Sequence, residues 1–248
     1  MLKTFKMGGV HPSEEKLSAK ENIIYGEIPE QLMIPVQQHI GKPCEIVVDR
    51  KSEVRRGDVI ARSTGFVSSN VHSPVNGVVD KIVRFPQLGG QISDCVVITP
   101  ENPGASYREL IEADTPSGVN ADTLKADEIR KKIAAAGIIG MGGAGFPTHV
   151  KLSPPPEKKI DTLIINGAEC EPYITADHRV MLEKADELIK GIRLLQKVFN
   201  GVPVYIGIEE NKPDAITHLK EKTETFDDIH VSALKVKYPQ GGEKQLIR

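Results

Sequence analysis

Residues 140–147 read Gly-Met-Gly-Gly-Ala-Gly-Phe-Pro, the densest run of glycine in the chain. Glycine at that density leaves backbone N–H groups uncovered, able to close around a flat or phosphorylated ligand, so Gly140, Gly142, Gly143 and Gly145 are candidate cofactor-binding positions. Gly140, Gly142 and Gly145 also satisfy G-x-G-x-x-G, a fingerprint that needs a strand before it and a helix after it. Neither flank fits, because Asp127–Ala136 predicts a helix closing at Gly137 and Pro147 breaks the chain's path on the far side of the glycines. Phe146 beside the glycines can stack on a ring, or simply pack. Lys151 can meet a phosphate or the electron-rich end of a reduced flavin.

Two further polar stretches carry chemistry: Asn166-Gly-Ala-Glu-Cys-Glu-Pro-Tyr173 and Tyr238-Pro-Gln-Gly-Gly-Glu-Lys244. Asn166 offers a donor and an acceptor, a match for the alternating edge of a flavin or for a nicotinamide amide. Glu169, Glu171 and Glu243 can accept from ribose hydroxyls, against the alternative that they are ordinary solvated loop charges. Cys170 between two carboxylates is a poor thiolate site, and no catalytic nucleophile is expected. His149 and His178 have no second ligand at metal-like spacing, so no metal site is expected.

The elements that must position these residues fall into two groups. Leu32–Thr99 is dense in Val and Ile and broken by Gly, Pro, Asn and Asp, the pattern of a small β domain, with Asn76-Gly77 as a two-residue hairpin signal. Its halves, Glu53–Ala61 and Val71–Val79, resemble those of a biotinyl or lipoyl carrier of barrel-sandwich fold. The tip between them, Ser63–Ser69, holds no lysine to modify, so an unmodified docking or structural module is expected. Beyond the glycines, Ile160–Ile165, Val202–Ile208 and Ile229–Val236 are of strand length. They alternate with a helix whose buried face is Leu182, Ala185, Leu188, Ile189, Ile192 and Leu195, and with a second helix opening at Lys212-Pro213. Strand, helix, strand, helix, strand implies a parallel sheet, with ligands beyond the carboxyl ends of its strands. The expected organisation is an N-terminal segment (1–31), a barrel-sandwich domain (32–100), a linker (101–126) and an α/β domain (127–248).

Composition narrows the function. With 32 basic and 34 acidic residues there is no electrostatic case for nucleic acid, and no apolar stretch approaches the length of a membrane span, so a cytoplasmic chain without direct membrane insertion is expected. Cys44, Cys95 and Cys170 are too widely spaced for a disulfide framework or an iron–sulfur cluster.

Gly142–Thr148, Lys151, Asn166–Pro172 and Tyr238–Gln245, together with Gly8-Gly-Val-His-Pro12 and the carrier-like domain, resemble the RnfC family of Rnf electron-transport complexes across essentially the whole chain. The middle motifs are similar, more distantly, to the NADH-binding flavoprotein subunit of respiratory complex I. The resemblance implies a Rossmann-like FMN/NADH domain behind the barrel-sandwich domain. It also implies an NAD(H)-facing subunit of a ferredoxin:NAD oxidoreductase, held by membrane subunits on the inner face of the cell membrane. By position, Gly140, Gly142, Gly143 and Gly145 would form the flavin loop, with Lys151 and Asn166 on the flavin and Phe146, Glu171 and Glu243 toward the nucleotide. Cys170 and Gly242 depart from the complex I pattern, where a hydroxyl-bearing residue and a glutamate are usual. Members of the family continue into a region with cysteines for two [4Fe–4S] clusters, which these 248 residues lack, so the chain is expected to be a fragment. RnfC-like reductases of cobalamin or amino-acid pathways, and an inert docking module, are the alternatives.

Overall fold

The computed structural model describes residues 2–87, 89–113, 123–141, 143 and 145–247. The chain forms two compact units, residues 25–158 and residues 1–24 with 159–248. Gly142, one of the candidate loop positions, lies outside the described residues.

Among its described residues, the unit 25–158 holds seven strands: β1 (Leu32–Pro35), β2 (Glu45–Ile46), β3 (Glu53–Val54), β4 (Val59–Arg62), β5 (Val71–His72), β6 (Gly77–Pro86) and β7 (Ile92–Pro100). They make two sheets, ordered β1-β7-β6-β3 and β2-β4-β5, with antiparallel pairing throughout. Inward-facing Val54, Ile60, Val71, Val79, Val96 and Ile98 form one core shared by both sheets. A sandwich results because each sheet has one apolar face and can bury it only against the other.

The hairpin expected at Asn76-Gly77 does not form: β5 pairs with β4, while β6 pairs with β3 and β7. Asn76 instead marks the crossing between sheets, where its side chain accepts from the Arg56 N–H (2.8 Å) and its carbonyl from the Glu101 N–H (3.0 Å). Gly77 is required there by close approach rather than by positive φ, since a Cβ would run into the carbonyl of Thr99.

Its described residues also form the helices α1 (Tyr107–Ala113), α2 (Ala126–Ala135) and the single turn α3 (Thr148–Lys151). The end of α2 is tied to the β sandwich by His72 Nε2 and Asn70 Nδ2, both on the Ala135 carbonyl at 2.9 and 3.4 Å.

The second unit carries β8 (Leu163–Gly167), α4 (Ala176–Glu183), α5 (Ala185–Val198), β9 (Val204–Glu209), α6 (Pro213–Thr223), β10 (Ile229–Leu234) and the single turn α7 (Glu243–Leu246). The sheet is parallel, in the order β10-β9-β8. Its core joins Val204, Ile206 and Ile208 of β9 to Met181, Ala185, Ile192, Ala215 and Leu219 of the helices. The apolar face expected on one helix spans two, α4 and α5, which meet at Lys184 where φ is −129°.

Residues 1–24 belong to this unit. Lys3 bridges Leu234 in parallel, and Val10 exchanges both backbone hydrogen bonds with Tyr238 at 2.9 Å. Compactness thus divides the chain differently from composition: the first residues join the parallel sheet, and residues 126–158 join the β sandwich.

Candidate functional site

The carboxyl ends of β8 and β9 bring together four ionisable side chains that the fold removes from water. Glu169, two residues past β8, is 2% exposed, and Glu209, the last residue of β9, is fully buried. Lys212, at the N-cap of α6, is also 2% exposed, and its Nζ reaches Glu209 Oε2 at 3.2 Å, Asn211 Oδ1 at 3.0 Å and the Glu169 carbonyl at 3.4 Å.

Lys16 enters from the N-terminal segment. Its Nζ donates to the backbone carbonyls of Glu169 (2.8 Å), Glu171 (2.9 Å) and Ile174 (2.6 Å), and lies 4.0 Å from Glu169 Oε2. A cavity of about 170 Å³ opens among Lys16, Glu169, Cys170, Glu209, Asn211 and Tyr238.

Two oxygens in this cluster have no hydrogen-bond partner: Glu169 Oε2 and Glu209 Oε1. The other Glu169 oxygen accepts from the Asp177 N–H at 2.7 Å, in the first turn of α4. Burial pushes the Glu169 carboxyl above its ordinary pKa, against the Asp177 hydrogen bond and the Lys16 charge, which pull it down. Burial, helped by the neighbouring Lys212 charge, holds the Lys16 ammonium below the usual lysine value despite the surrounding glutamates. Burial also raises the Cys170 thiol, and the Glu171 and Glu209 charges add to this against a hydrogen bond from the Gly241 backbone.

Asn166, at the end of β8, spends its amide locally. Its Nδ2 donates to the Gly241 carbonyl at 2.8 Å and its Oδ1 accepts from the Ala168 N–H at 3.2 Å, so it ties the two strand-end loops to each other. Glu171 and Glu243 are exposed, the latter opening α7. Of the residues singled out from the sequence, Asn166, Glu169, Glu171 and Glu243 therefore share this unit. Lys16, Glu209 and Lys212 were not singled out. The available signal was a strand-length apolar run ending in Glu209, followed at helical spacing by Lys212.

The glycine segment belongs to the other unit and connects α2 to α3. It is closed at its base by the Gly140 N–H on the Phe146 carbonyl (2.9 Å) and the Gly145 N–H on the Gly140 carbonyl (3.1 Å). Gly145 has φ +62°, its carbonyl accepts from the Ile40 N–H at 3.2 Å, and a Cβ there would press on Gln38 and His39 at 3.2 Å. Gly143 faces open space, with nothing within 4 Å of a Cβ. A cleft of about 1040 Å³ is lined by Gln38, His39, Gln91, Ile139, Met141 and Gly143 among others. Phe146 is half-buried, and Lys151 is exposed at the end of α3.

Each unit by itself holds groups of the kinds a flavin nucleotide uses: in residues 25–158 Gly143 leaves backbone uncovered and Lys151 supplies a cation, and in the other unit Glu169 Oε2 is a buried acceptor without a hydrogen-bond partner. Asn166 is the exception, since a ligand bond from its amide would replace one to Gly241 or Ala168. His178 is buried with Nε2 at 2.8 Å from Asp214 Oδ1, linking α4 to α6. Among the described residues no group of His, Cys, Asp or Glu is arranged to hold a metal, and no helix is long and apolar enough to cross a membrane.

Residues 3–103 match the RnfC barrel sandwich hybrid domain, and residues 133–248 match the Nuo51 FMN-binding domain. The chain is 45% identical over 248 residues to a protein of the proton-translocating ferredoxin:NAD(+) oxidoreductase complex of Clostridium ljungdahlii, covering 100% of this chain and 53% of that protein. It is 41% identical to the corresponding protein of the Na(+)-translocating ferredoxin:NAD(+) oxidoreductase complex of Acetobacterium woodii, covering 98% of this chain and 54% of that protein. A protein of the ion-translocating oxidoreductase complex of Rhodobacter capsulatus is 36% identical, with 100% of this chain and 47% of that protein covered. Among solved structures, an NAD+-reducing [NiFe]-hydrogenase in the air-oxidized state aligns with a TM-score of 0.44 at 20% identity, over 54% of this chain and 26% of that one. The chain spans about half the length of the curated relatives it matches. It belongs to the RnfC family.

Proposed function

We propose that this RnfC-family chain carries the NAD(H)-facing flavin site of an ion-translocating ferredoxin:NAD oxidoreductase. Electrons would pass between NADH, FMN and [4Fe–4S] clusters borne by the remainder of the full-length subunit. The observation that carries the reading is the span of the FMN-binding match, 133–248, which includes the glycine segment and both strand-end loops. The strand order β10-β9-β8 supports a Rossmann-like reading, being that of one mononucleotide-binding half.

In this reading Gly140, Gly142, Gly143 and Gly145 form the flavin loop, Lys151 and Asn166 orient the flavin, and Phe146, Glu171 and Glu243 face the nicotinamide nucleotide. FMN, when bound, exchanges an electron pair with nicotinamide and releases electrons singly to one-electron centres. Glu169 is suited to hold a proton at Oε2 at a pH where an exposed carboxylate has released it. Carboxylates near the ribose would repel a 2′-phosphate, favouring NADH over NADPH. The protein would sit peripherally on the inner membrane face through the membrane subunits of its complex. NADH-dependent reduction of an artificial acceptor by the full-length protein tests the reading, and its absence in flavin-loaded protein removes it.

A second role is favoured for the β sandwich. Phe66, in the turn between β4 and β5, is 70% exposed, and that turn carries no lysine to modify. We infer docking onto membrane partners through this turn. Phe66→Ser in the full-length protein should reduce co-purification with the membrane subunits, and undiminished co-purification counts against it.

A further inference from the structure

Tyr173 has φ +69° and is 64% exposed, so a bulky side chain is held in the left-handed region without burial to offset the strain. What holds it is the N-terminal segment. The Tyr173 N–H donates to the Glu14 carbonyl at 3.0 Å, and Lys16 Nζ grips the carbonyls on either side, Glu171 at 2.9 Å and Ile174 at 2.6 Å. The segment is itself pinned, because Glu14 Oε2 accepts from Asn211 Nδ2 at 2.7 Å and Ser18 Oγ lies 2.7 Å from Thr175 Oγ1.

An ammonium satisfied by three carbonyls of one loop fixes that loop's path, since its donors are spent on backbone and none goes to a side chain of the loop at hydrogen-bond distance. We propose that Lys16 is a positioning residue for the cofactor site: it clamps the 169–174 loop around a strained Tyr173 and so sets where Glu169 and Glu171 present their carboxylates. This rests on the reading of that loop as part of the FMN/NADH site.

The test uses the full-length protein, its Lys16→Met variant and the double variant Lys16→Met/Tyr173→Gly. Glycine adopts positive φ at no steric cost, so it should keep the loop in place without the clamp. FMN affinity, read by flavin fluorescence, should fall at least about tenfold in K16M and return to within about threefold of wild type in the double variant. Wild-type affinity in K16M overturns the proposal, as does a double variant that recovers nothing, which is what loss of a merely structural charge would give. If K16M does not fold, the double variant decides alone: folding with FMN uptake supports the clamp, and continued failure overturns it. If wild-type protein takes up no FMN, the functional reading fails by itself. Hydrogen exchange then judges the clamp: faster exchange at the Tyr173 and Asp177 amides in K16M supports it, and unchanged protection overturns it.

Discussion

Each compact unit buries a polar cluster, and the two are built on opposite electrical terms. In residues 25–158 the cluster is neutral. The Cys44 thiol donates to the Ser69 carbonyl at 2.9 Å, the Ser69 N–H donates to His39 Nε2 at 3.1 Å, and His39 Nδ1 bonds the Ile40 carbonyl at 2.9 Å. In the parallel-sheet unit the cluster is ionic, with Lys16 and Lys212 set against Glu169 and Glu209, and with one oxygen of each glutamate left without a hydrogen-bond partner. A neutral network knits loops together at modest gain, whereas buried charges are costly to desolvate and seldom improve stability over apolar packing. Buried paired charges at the ends of parallel strands are therefore the more informative of the two about function.

Substitution separates the two clusters most sharply at Lys212. Lys212→Met strands the fully buried Glu209 carboxylate and should cost about 3–5 kcal/mol in urea unfolding, while Lys212→Met/Glu209→Leu should recover most of it. A small loss in the single variant would mean that water reaches Glu209. Gly145→Ala probes the glycine segment beside the neutral cluster. The left-handed φ of +62° should make it cost roughly 1–2 kcal/mol, readable in the same melts. In the neutral cluster itself, Cys44→Ala removes the hydrogen bond to the Ser69 carbonyl and the longer contacts to His39 Nε2 (3.4 Å) and Ser68 Oγ (3.9 Å), and should cost only about 1 kcal/mol.

The smallest effect is a pH slope. With its folded pKa raised, Glu169 keeps its proton in the folded chain after the unfolded chain has released it. Its contribution to stability is full below the ordinary carboxylate pKa and is lost as pH rises through the folded value. Unfolding followed upward from the ordinary carboxylate pKa should show this decline in the wild type and not in Glu169→Gln. Parallel profiles for the two would remove the assignment.

Much of the scaffold was legible in the residues. Apolar runs of strand length alternating with helical spacing announce β8, β9 and β10 and the helices between them, because burying one face forces that periodicity. The sandwich strands are likewise written in Val and Ile broken by turn residues. The clamp was not legible, because Lys16 bonds to backbone carbonyls 153 or more positions away and backbone has no sequence signature. Asn76-Gly77 misled for a related reason: glycine is needed both where φ is positive and where another strand's carbonyl comes close, and the dipeptide does not distinguish them. At the strand-end loops Asn166 and Glu169 stood out by type, but that Glu169 is buried and Asn166 is engaged by Gly241 follows only from the packing of distant segments.

The most direct measurement is the visible spectrum of the full-length protein incubated with FMN, desalted, and then titrated anaerobically with NADH. The account predicts flavin bands that survive desalting and bleach on NADH addition. A folded full-length protein that retains no flavin would contradict it.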